Sequence, residues 1–448
     1  MRAVVIGAGF AGLAAALRLR RAGLEVTVLD KQEAPGGKAI GWNGVPTGPT
    51  VLTLPEVPRA IFEAFGAEPP AFEPVSPLTR YFWPDGRTFA PELDLEATLS
   101  QLSRDEAGRY TGLLEEARRL YQGARETFIL GPPPTLAALS RYALGQGLRA
   151  HPLEPLSRLV ASGPYLTPFF LRFATYLGAN PYRAPAVLHN IAWVELGLGV
   201  YHLEGGMRAL ADALYRLALL QGVRFEFGVC VGGLELRKGR VVALRAGDAR
   251  YPGDIFVSAV DRHFTLGMLG WPAPQYELGT SGFAILMQLG ETQPLRHQVY
   301  FSADYRSEWR ELEAGRLPKD PTLYLYTDGD RAFLLVNTPN LGRLGEVNLE
   351  EYARFLLDRL QAVHPLGVRE WKALSPQDYA LTAYQGALYG KAPHGLLGAL
   401  RPGWRLGRLP NLAQVGGTVH PGGGVPLALG SGWNGADWLL ARSRGEGG

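Results

Sequence analysis

Six residues near the start of the chain limit its fold more than any other feature. Gly7-Ala8-Gly9-Phe10-Ala11-Gly12 follows a short β-branched run, Arg2–Ile6, and opens an Ala/Leu/Arg-rich stretch, Gly12 to Ala22. That stretch reads as a helix stopped by Gly23. A second strand, Val26–Leu29, ends in Asp30. In a strand–turn–helix–strand unit of this kind each glycine has its own task. Gly7 allows the tight turn, Gly9 lets backbone approach a pyrophosphate, and Gly12 lets helix and sheet touch. The N–H groups at the helix start, from Phe10 and Ala11 onward, and the positive dipole end then face the phosphates. Asp30 stands where a carboxylate accepts from ribose hydroxyls, which disfavours a ribose 2′-phosphate and leaves FAD or NAD. The plain alternative is a glycine-rich turn in an α/β domain that binds nothing.

Composition narrows the rest. The 448 residues carry 45 Lys+Arg against 42 Asp+Glu, a net charge of +3, which gives no basic field for nucleic acid. Hydrophobic residues at 46% exclude wholesale disorder. The single cysteine, Cys230, can form neither an internal disulfide nor a thiolate metal site. Apolar residues from Ala3 to Leu17 could pass for a signal segment, but Gly7, Gly9 and Gly12 and then Arg18, Arg20 and Arg21 interrupt the pattern. No run reaches the ~18 uncharged apolar residues of a spanning helix. The expectation is a cytoplasmic protein, soluble or peripheral at a membrane surface.

After Asp30 come Lys31, then Gly36-Gly37-Lys38-Ala39, and then Gly48-Pro49-Thr50. These segments resemble the second and third signatures of the flavin amine oxidase and phytoene desaturase superfamily. There, paired glycines and a basic residue approach the phosphates and ribose, and the Gly-Pro-Thr turn reaches toward the flavin. This chain departs from the usual pattern in having Lys38 where Arg is common, and Pro46-Thr47 where an Asp is common.

Further along, Tyr81–Trp83 reads as a strand and Ala97–Thr127 as a charged helical stretch. Residues 131–200 are rich in Leu, Phe, Tyr and Pro, with few acids. From Tyr201 the nucleotide unit resumes, with a helix opening at Gly205-Gly206-Met207. Strands are expected at Val223–Phe227, Val229–Val231 and Arg240–Arg245, with a returning parallel strand at Asp254–Asp261. Residues 266–405 form a mixed block with strands at Thr322–Thr327 and Ala332–Val336 and a helix at Leu349–Val363. Near the end, a strand closing at Val415 runs into Gly416-Gly417-Thr-Val-His420-Pro421-Gly422-Gly423-Gly424-Val425-Pro426, then a helix through Leu440. Consecutive glycines before a helix let a flat ring lie on backbone, with the helix dipole toward any negative charge it carries.

With this segment in place the chain resembles the carotenoid (phytoene-type) desaturases, whose C-terminal hallmark is a Gly-x-x-x-His-Pro-Gly-x-Gly-x-Pro run. Gly48–Thr53, Gly386–Gly390 with His394-Gly395, and Gly417–Leu427 look closest to hydroxy- or methoxyneurosporene-type (1-hydroxycarotenoid 3,4-) desaturases. The resemblance implies an α/β (α+β overall) architecture, a Rossmann-like FAD-binding domain with a parallel sheet, interleaved with a mixed-sheet and helical substrate domain. The cofactor domain is expected at 1–75, 201–265 and 406–448, and the substrate domain at 76–200 and 266–405. It implies non-covalent FAD held by Gly7, Gly9, Phe10, Ala11, Gly12, Asp30, Lys31, Gly36, Gly37, Lys38, Thr50, Val231, Ala259, Gly416, Gly417, Gly424 and Val425. It also implies an apolar polyene substrate dehydrogenated by hydride transfer to the flavin.

No catalytic base is assigned. His420 reads as a turn brace more readily than as a proton acceptor, and His202 and Glu195 are weaker candidates. Tyr165, Phe169, Phe170, Phe173 and Tyr176 suit either core or slot lining. Leu136, Leu139, Tyr142, Leu144 and Leu148, with Arg141 and Arg149, suit a basic amphipathic element on a membrane surface, within a contact region at 131–200. A solvated helix face is the alternative. Rival functions on the same scaffold are a flavin amine oxidase, a redox-neutral carotenoid isomerase, or a prenyl-binding protein without catalysis. Oligomeric state is left open.

Overall fold

The computed structural model describes residues 1–39, 41–147, 150–395 and 398–443. Arg2–Ile6 is the central strand of a five-stranded, all-parallel sheet. The order is Leu412–Gln414, Ile255–Ser258, Arg2–Ile6, Glu25–Leu29, Arg224–Glu226. Val5 pairs with Val257 on one side and Val28 on the other. Burial on both faces explains the unbroken apolar run, because a parallel sheet is covered on both sides. Ala3 and Val5 pack toward the helices Phe10–Arg21, Gly206–Leu220 and Val425–Ser443. Their neighbours Val4 and Ile6 pack with residues of a three-stranded antiparallel sheet, Gly233–Pro252. The two-residue period of a strand thus feeds two different covers.

Glycine sets how tightly the layers approach. A Cβ at Gly12 would lie 1.8 Å from the Gly7 carbonyl oxygen, and one at Gly432 would lie 2.0 Å from the Ala11 carbonyl oxygen. The first and last helices therefore touch backbone to backbone.

A second sheet of six strands is mixed. Its order is Val368–Leu374, Ser281–Gln293, Leu323–Thr338, His297–Tyr300, Arg80–Phe82, Thr88–Phe89, with one parallel pairing, between Arg80–Phe82 and His297–Tyr300. Helix Leu349–Val363 packs on this sheet, and the helical block of 104–200 builds a separate aromatic core. Every strand of the parallel sheet falls within 1–75, 201–265 and 406–448. Every strand of the six-stranded sheet falls within 76–200 and 266–405.

Four local expectations are corrected. Val229–Val231 is not a strand: Gly228, at φ +70°, turns the chain out of the ladder, and Val229 donates to Asp30 instead. The first helix begins at Phe10, not Gly12, because Gly9 takes the N-cap position. Ala97–Thr127 is broken, since Ser103 and Glu106 form a capping box that starts a fresh helix, Arg104–Ala124. Thr322–Thr327 and Ala332–Val336 belong to one long strand, Leu323–Thr338.

Candidate cofactor and substrate site

A continuous cavity of about 1290 Å³ runs from the glycine turn of the parallel sheet to the wall of the six-stranded sheet. Of the seventeen cofactor residues expected from sequence, sixteen line it; Gly12 does not. Gly12 acts behind the turn, where its missing side chain lets the helix seat on Gly7.

The cradle is made of backbone. Gly7 sits at φ +98° and donates to the Leu29 carbonyl (2.7 Å). The helix that follows has no side-chain cap and no acid in its first turn, so its N–H groups are left for an anion. Gly37, at φ +61°, comes so close that a Cβ there would stand 3.0 Å from the Gly9 Cα. Asp30, buried at the cavity edge, accepts from the Ala8 N–H (2.6 Å) and the Gln32 N–H (2.8 Å), which fixes its carboxylate. Lys38 lines the cavity and donates to the Leu388 carbonyl (2.7 Å); desolvation by the surrounding protein holds its pKa down, and Asp261 opposes that. Lys31 donates to the Leu381 carbonyl and lies over the Phe264 ring. Backbone that one Cβ would obstruct, an uncapped helix end and a fixed carboxylate fit a dinucleotide such as FAD.

At the other end of the cradle Gly416, at φ +112°, donates to Ser431 Oγ (3.0 Å). Tyr389 lies on the glycine loop: a Cβ at Gly423 would fall 2.1 Å from its ring. The Gly386–Gly390 motif therefore closes the cavity over the C-terminal loop. His420 is turned away and does not line the cavity. Its Nε2 bonds the Gly131 carbonyl (3.0 Å), and its own carbonyl accepts from Trp404 Nε1 (2.9 Å) and Ser431 Oγ (2.8 Å). Burial lowers its pKa, and the geometry is that of a brace. His202 is likewise absent from the lining.

Beyond the cradle the cavity is walled mainly by apolar side chains, among them Phe128, Leu139, Leu188, Ile191 and Val194. One stretch of that wall is polar. Arg172 donates to the hydroxyls of Tyr81 (2.7 Å) and Tyr176 (2.8 Å), Tyr176 donates to Glu195 (2.5 Å), and Arg172 stands 3.5 Å from Glu195. Beside it, the Tyr324 hydroxyl bonds both Thr50 Oγ1 (2.7 Å) and His297 Nδ1 (2.8 Å). Burial, with Arg172 adding to it, lowers His297 to about 3, so its imidazole is neutral.

Of the five aromatics offered as slot lining, only Tyr176 lines the cavity. Phe169, Phe170 and Phe173 are fully buried core, and Tyr165 donates to Asp85 (2.6 Å). They fill the interior because 166–177 packs between the long helix and the second sheet. On the stretch 136–153, Leu139 and Tyr142 are half-buried and line the cavity. Leu136, Leu144 and Leu153 are 84, 90 and 87% exposed. Leu148 and Arg149 lie outside the described residues. Among those described, no helix is long and apolar enough to cross a membrane.

Sequence reasoning missed Arg172, Tyr324 and Tyr389 as cavity-lining residues, and His297 as the buried partner behind Tyr324. A faint signal existed for two of them. Tyr389 sits inside a quoted motif, and Arg172 is an isolated charge in a stretch otherwise apolar and aromatic.

The model of the family described as "flavin containing amine oxidoreductase" matches residues 10–265. A hydroxyneurosporene desaturase from Cereibacter sphaeroides is 34% identical, over 98% of this chain and 97% of its own length. A 1-hydroxycarotenoid 3,4-desaturase from a Flavobacterium species is 28% identical, over 96% of each. Among solved structures, cyclohexylamine oxidase from Brevibacterium oxydans shares the fold, with a TM-score of 0.64 at 14% identity over 99% of both chains. With the glycine cradle and the C-terminal loop meeting in one cavity, these likenesses place the chain: it belongs to the carotenoid (phytoene-type) desaturase family of FAD-dependent flavin amine oxidoreductases.

Proposed function

We propose that this FAD-dependent carotenoid desaturase acts on a hydroxylated carotenoid drawn from a lipid surface. The observation that carries the reading is the continuity of the cavity: a backbone cradle suited to a dinucleotide opens directly into a long, mostly apolar slot. FAD, when bound, supplies the two-electron acceptor that makes a C–C single bond into a C=C bond. In this reading the FAD is held by Gly7, Gly9, Phe10, Ala11, Asp30, Lys31, Gly36, Gly37, Lys38, Thr50, Val231, Ala259, Gly416, Gly417, Gly424 and Val425, with Gly12 seating the helix behind them. The cofactor domain comprises 1–75, 201–265 and 406–448; 76–200 and 266–405 form the substrate domain.

The chain's contribution to rate is chiefly placement. A polyene offers few polar handles, so the apolar wall must hold the reacting carbons against the cradle end and keep water out. The substrate dissolves in lipid, and Leu136, Leu144 and Leu153 are exposed, with Arg141, on the stretch whose Leu139, Tyr142, Ala143 and Pro152 line the cavity. Exposed leucines on a stretch that also lines the cavity fit partial insertion into a bilayer, with arginine at the headgroups.

Activity is tested by supplying the purified flavoprotein with 1-hydroxylated and hydrocarbon carotenoids in liposomes. The expected product shows a longer-wavelength absorption band, one double bond richer. Flavin bleaching by polyamines with no change in carotenoid would overturn the reading. The lipid arm is tested by co-sedimentation with anionic liposomes. Leu136→Asp, Leu144→Asp and Leu153→Asp together should release the protein with flavin absorption intact, and the ionic part of binding should weaken with salt. Undiminished sedimentation of that variant would remove the membrane contact.

A further inference from the structure

A slot meant only for hydrocarbon has no use for a buried ion pair. Arg172 and Glu195 are 6% and 1% exposed, yet both line the cavity. Taking two charges out of water costs several kcal/mol per ion, and hydrophobic replacements of such pairs are often neutral or stabilising. Arg172 has five N–H donors. Those with hydrogen-bond partners among the described residues reach Tyr81 and Tyr176, and the 3.5 Å separation from Glu195 is long for a direct bond. Glu195 Oε1 accepts long bonds from Thr79 and Tyr81 (3.4 Å each), and its Oε2 accepts one, from Tyr176. Arg172 keeps N–H donors, and Glu195 Oε2 a lone pair, without a protein partner among the described residues, on side chains that line the cavity.

The pair also shares its stretch of cavity with a residue tied to the cradle. Arg172, Glu195 and Tyr324 line the same cavity, and Tyr324 is bonded to Thr50 in the Gly48-Pro49-Thr50 turn beside the cradle (2.7 Å). In the relative named a 1-hydroxycarotenoid 3,4-desaturase, the hydroxyl is a few bonds from the new double bond. A group that reads such a hydroxyl must sit next to the place of reaction. We propose that Arg172, Glu195 and Tyr176 form the specificity site for the hydroxyl end of the substrate, Glu195 accepting its O–H and Arg172 donating to its oxygen. The inference rests on the carotenoid reading above and adds the residues that set its selectivity.

A site built to hydrogen-bond a hydroxyl discriminates against the analogue that lacks it, because its polar groups are then left unpaired. The test compares two carotenoids of the same polyene length, with and without the terminal hydroxyl, on wild type, Glu195→Gln and Tyr176→Phe. Wild type should prefer the hydroxylated substrate in kcat/KM by at least about 30-fold, and each variant should bring that ratio below about 5-fold. The change should fall mostly in KM. A second readout needs no turnover: Kd values of the FAD-loaded protein for the already desaturated pair, read from carotenoid absorption shifts, should show the same collapse. Flavin absorption and a thermal melt show that each variant is folded; if Glu195→Gln is not, Tyr176→Phe and the wild-type ratio still decide. Equal kcat/KM for both substrates in wild type, or a wild-type ratio in a folded variant, overturns the inference. Failure to desaturate either carotenoid overturns the functional reading instead, and the Kd ratio then judges this site by itself.

Discussion

The two ends of the cavity are built on opposite principles. At the cradle, the shape comes from removing side chains: Gly7, Gly36, Gly37, Gly416 and Gly424 all have positive φ, and Gly12 and Gly432 let backbones touch. At the slot, the polar patch is made by side chains that converge from separate segments. Tyr81, Arg172, Glu195, His297 and Tyr324 share no local motif, and they meet because the second sheet and the helical block pack together. The contrast predicts all-or-none behaviour at the cradle and graded behaviour at the slot.

The largest effect should come from Gly12→Val. Its Cβ would overlap the Gly7 carbonyl oxygen, so the helix must leave the sheet, and both flavin and a cooperative melt should be lost. Gly9→Leu sharpens the point. The nearest atom to a Cβ there is 3.6 Å away, so the chain should fold while its flavin content falls to near zero. Full flavin in Gly9→Leu would break the cradle assignment.

In the slot's supporting core, Phe169→Ala should be costly but graded. Phe169 is fully buried against Tyr81, Phe89 and Tyr110, and such truncations cost about 3–5 kcal/mol, a fall in Tm on the order of 10 °C. Flavin should remain bound below the new melting point. Loss of flavin at low temperature would show that the two ends are one cooperative unit.

A smaller effect concerns Glu308, buried behind Thr322 with its Oε1 unpartnered among the described residues. Burial raises its pKa to about 7. A raised carboxyl pKa means stability present in full below the unfolded value and lost as pH climbs toward 7. Glu308→Gln should therefore raise Tm relative to wild type at pH 8, by a few degrees, and not at pH 4.5, with a difference on the order of 2 kcal/mol. A pH-independent difference between the two melts would contradict this.

The smallest effect is expected at His420→Ala, which should keep FAD and lose less than about tenfold in rate, since the imidazole braces Gly131 and faces away from the cavity. General acid–base groups typically contribute ~10²–10⁴-fold. A loss of that size with flavin still bound would make His420 a proton acceptor after all.

The sequence by itself determined the parts whose geometry is local. Strand, turn, helix and acid lie within thirty residues, and a glycine that must be a glycine can be read one position at a time. The same holds for the loop before the last helix and for the helix Leu349–Val363, where a short-range pattern specifies one backbone path. Tertiary structure alone decided what side chains do when several paths meet. Phe169 and Tyr176 are seven residues apart in one aromatic run, yet one is core and the other lines the cavity. Leu139 and Leu136 lie on one short helix, yet one lines the cavity and the other faces out. Val229–Val231 has strand composition and leaves the ladder because Gly228 redirects it. Which face is buried, and which buried charge finds a partner, depends on surfaces supplied by other segments of the chain, as Tyr81 and Glu195 are for Arg172, and no local pattern encodes them.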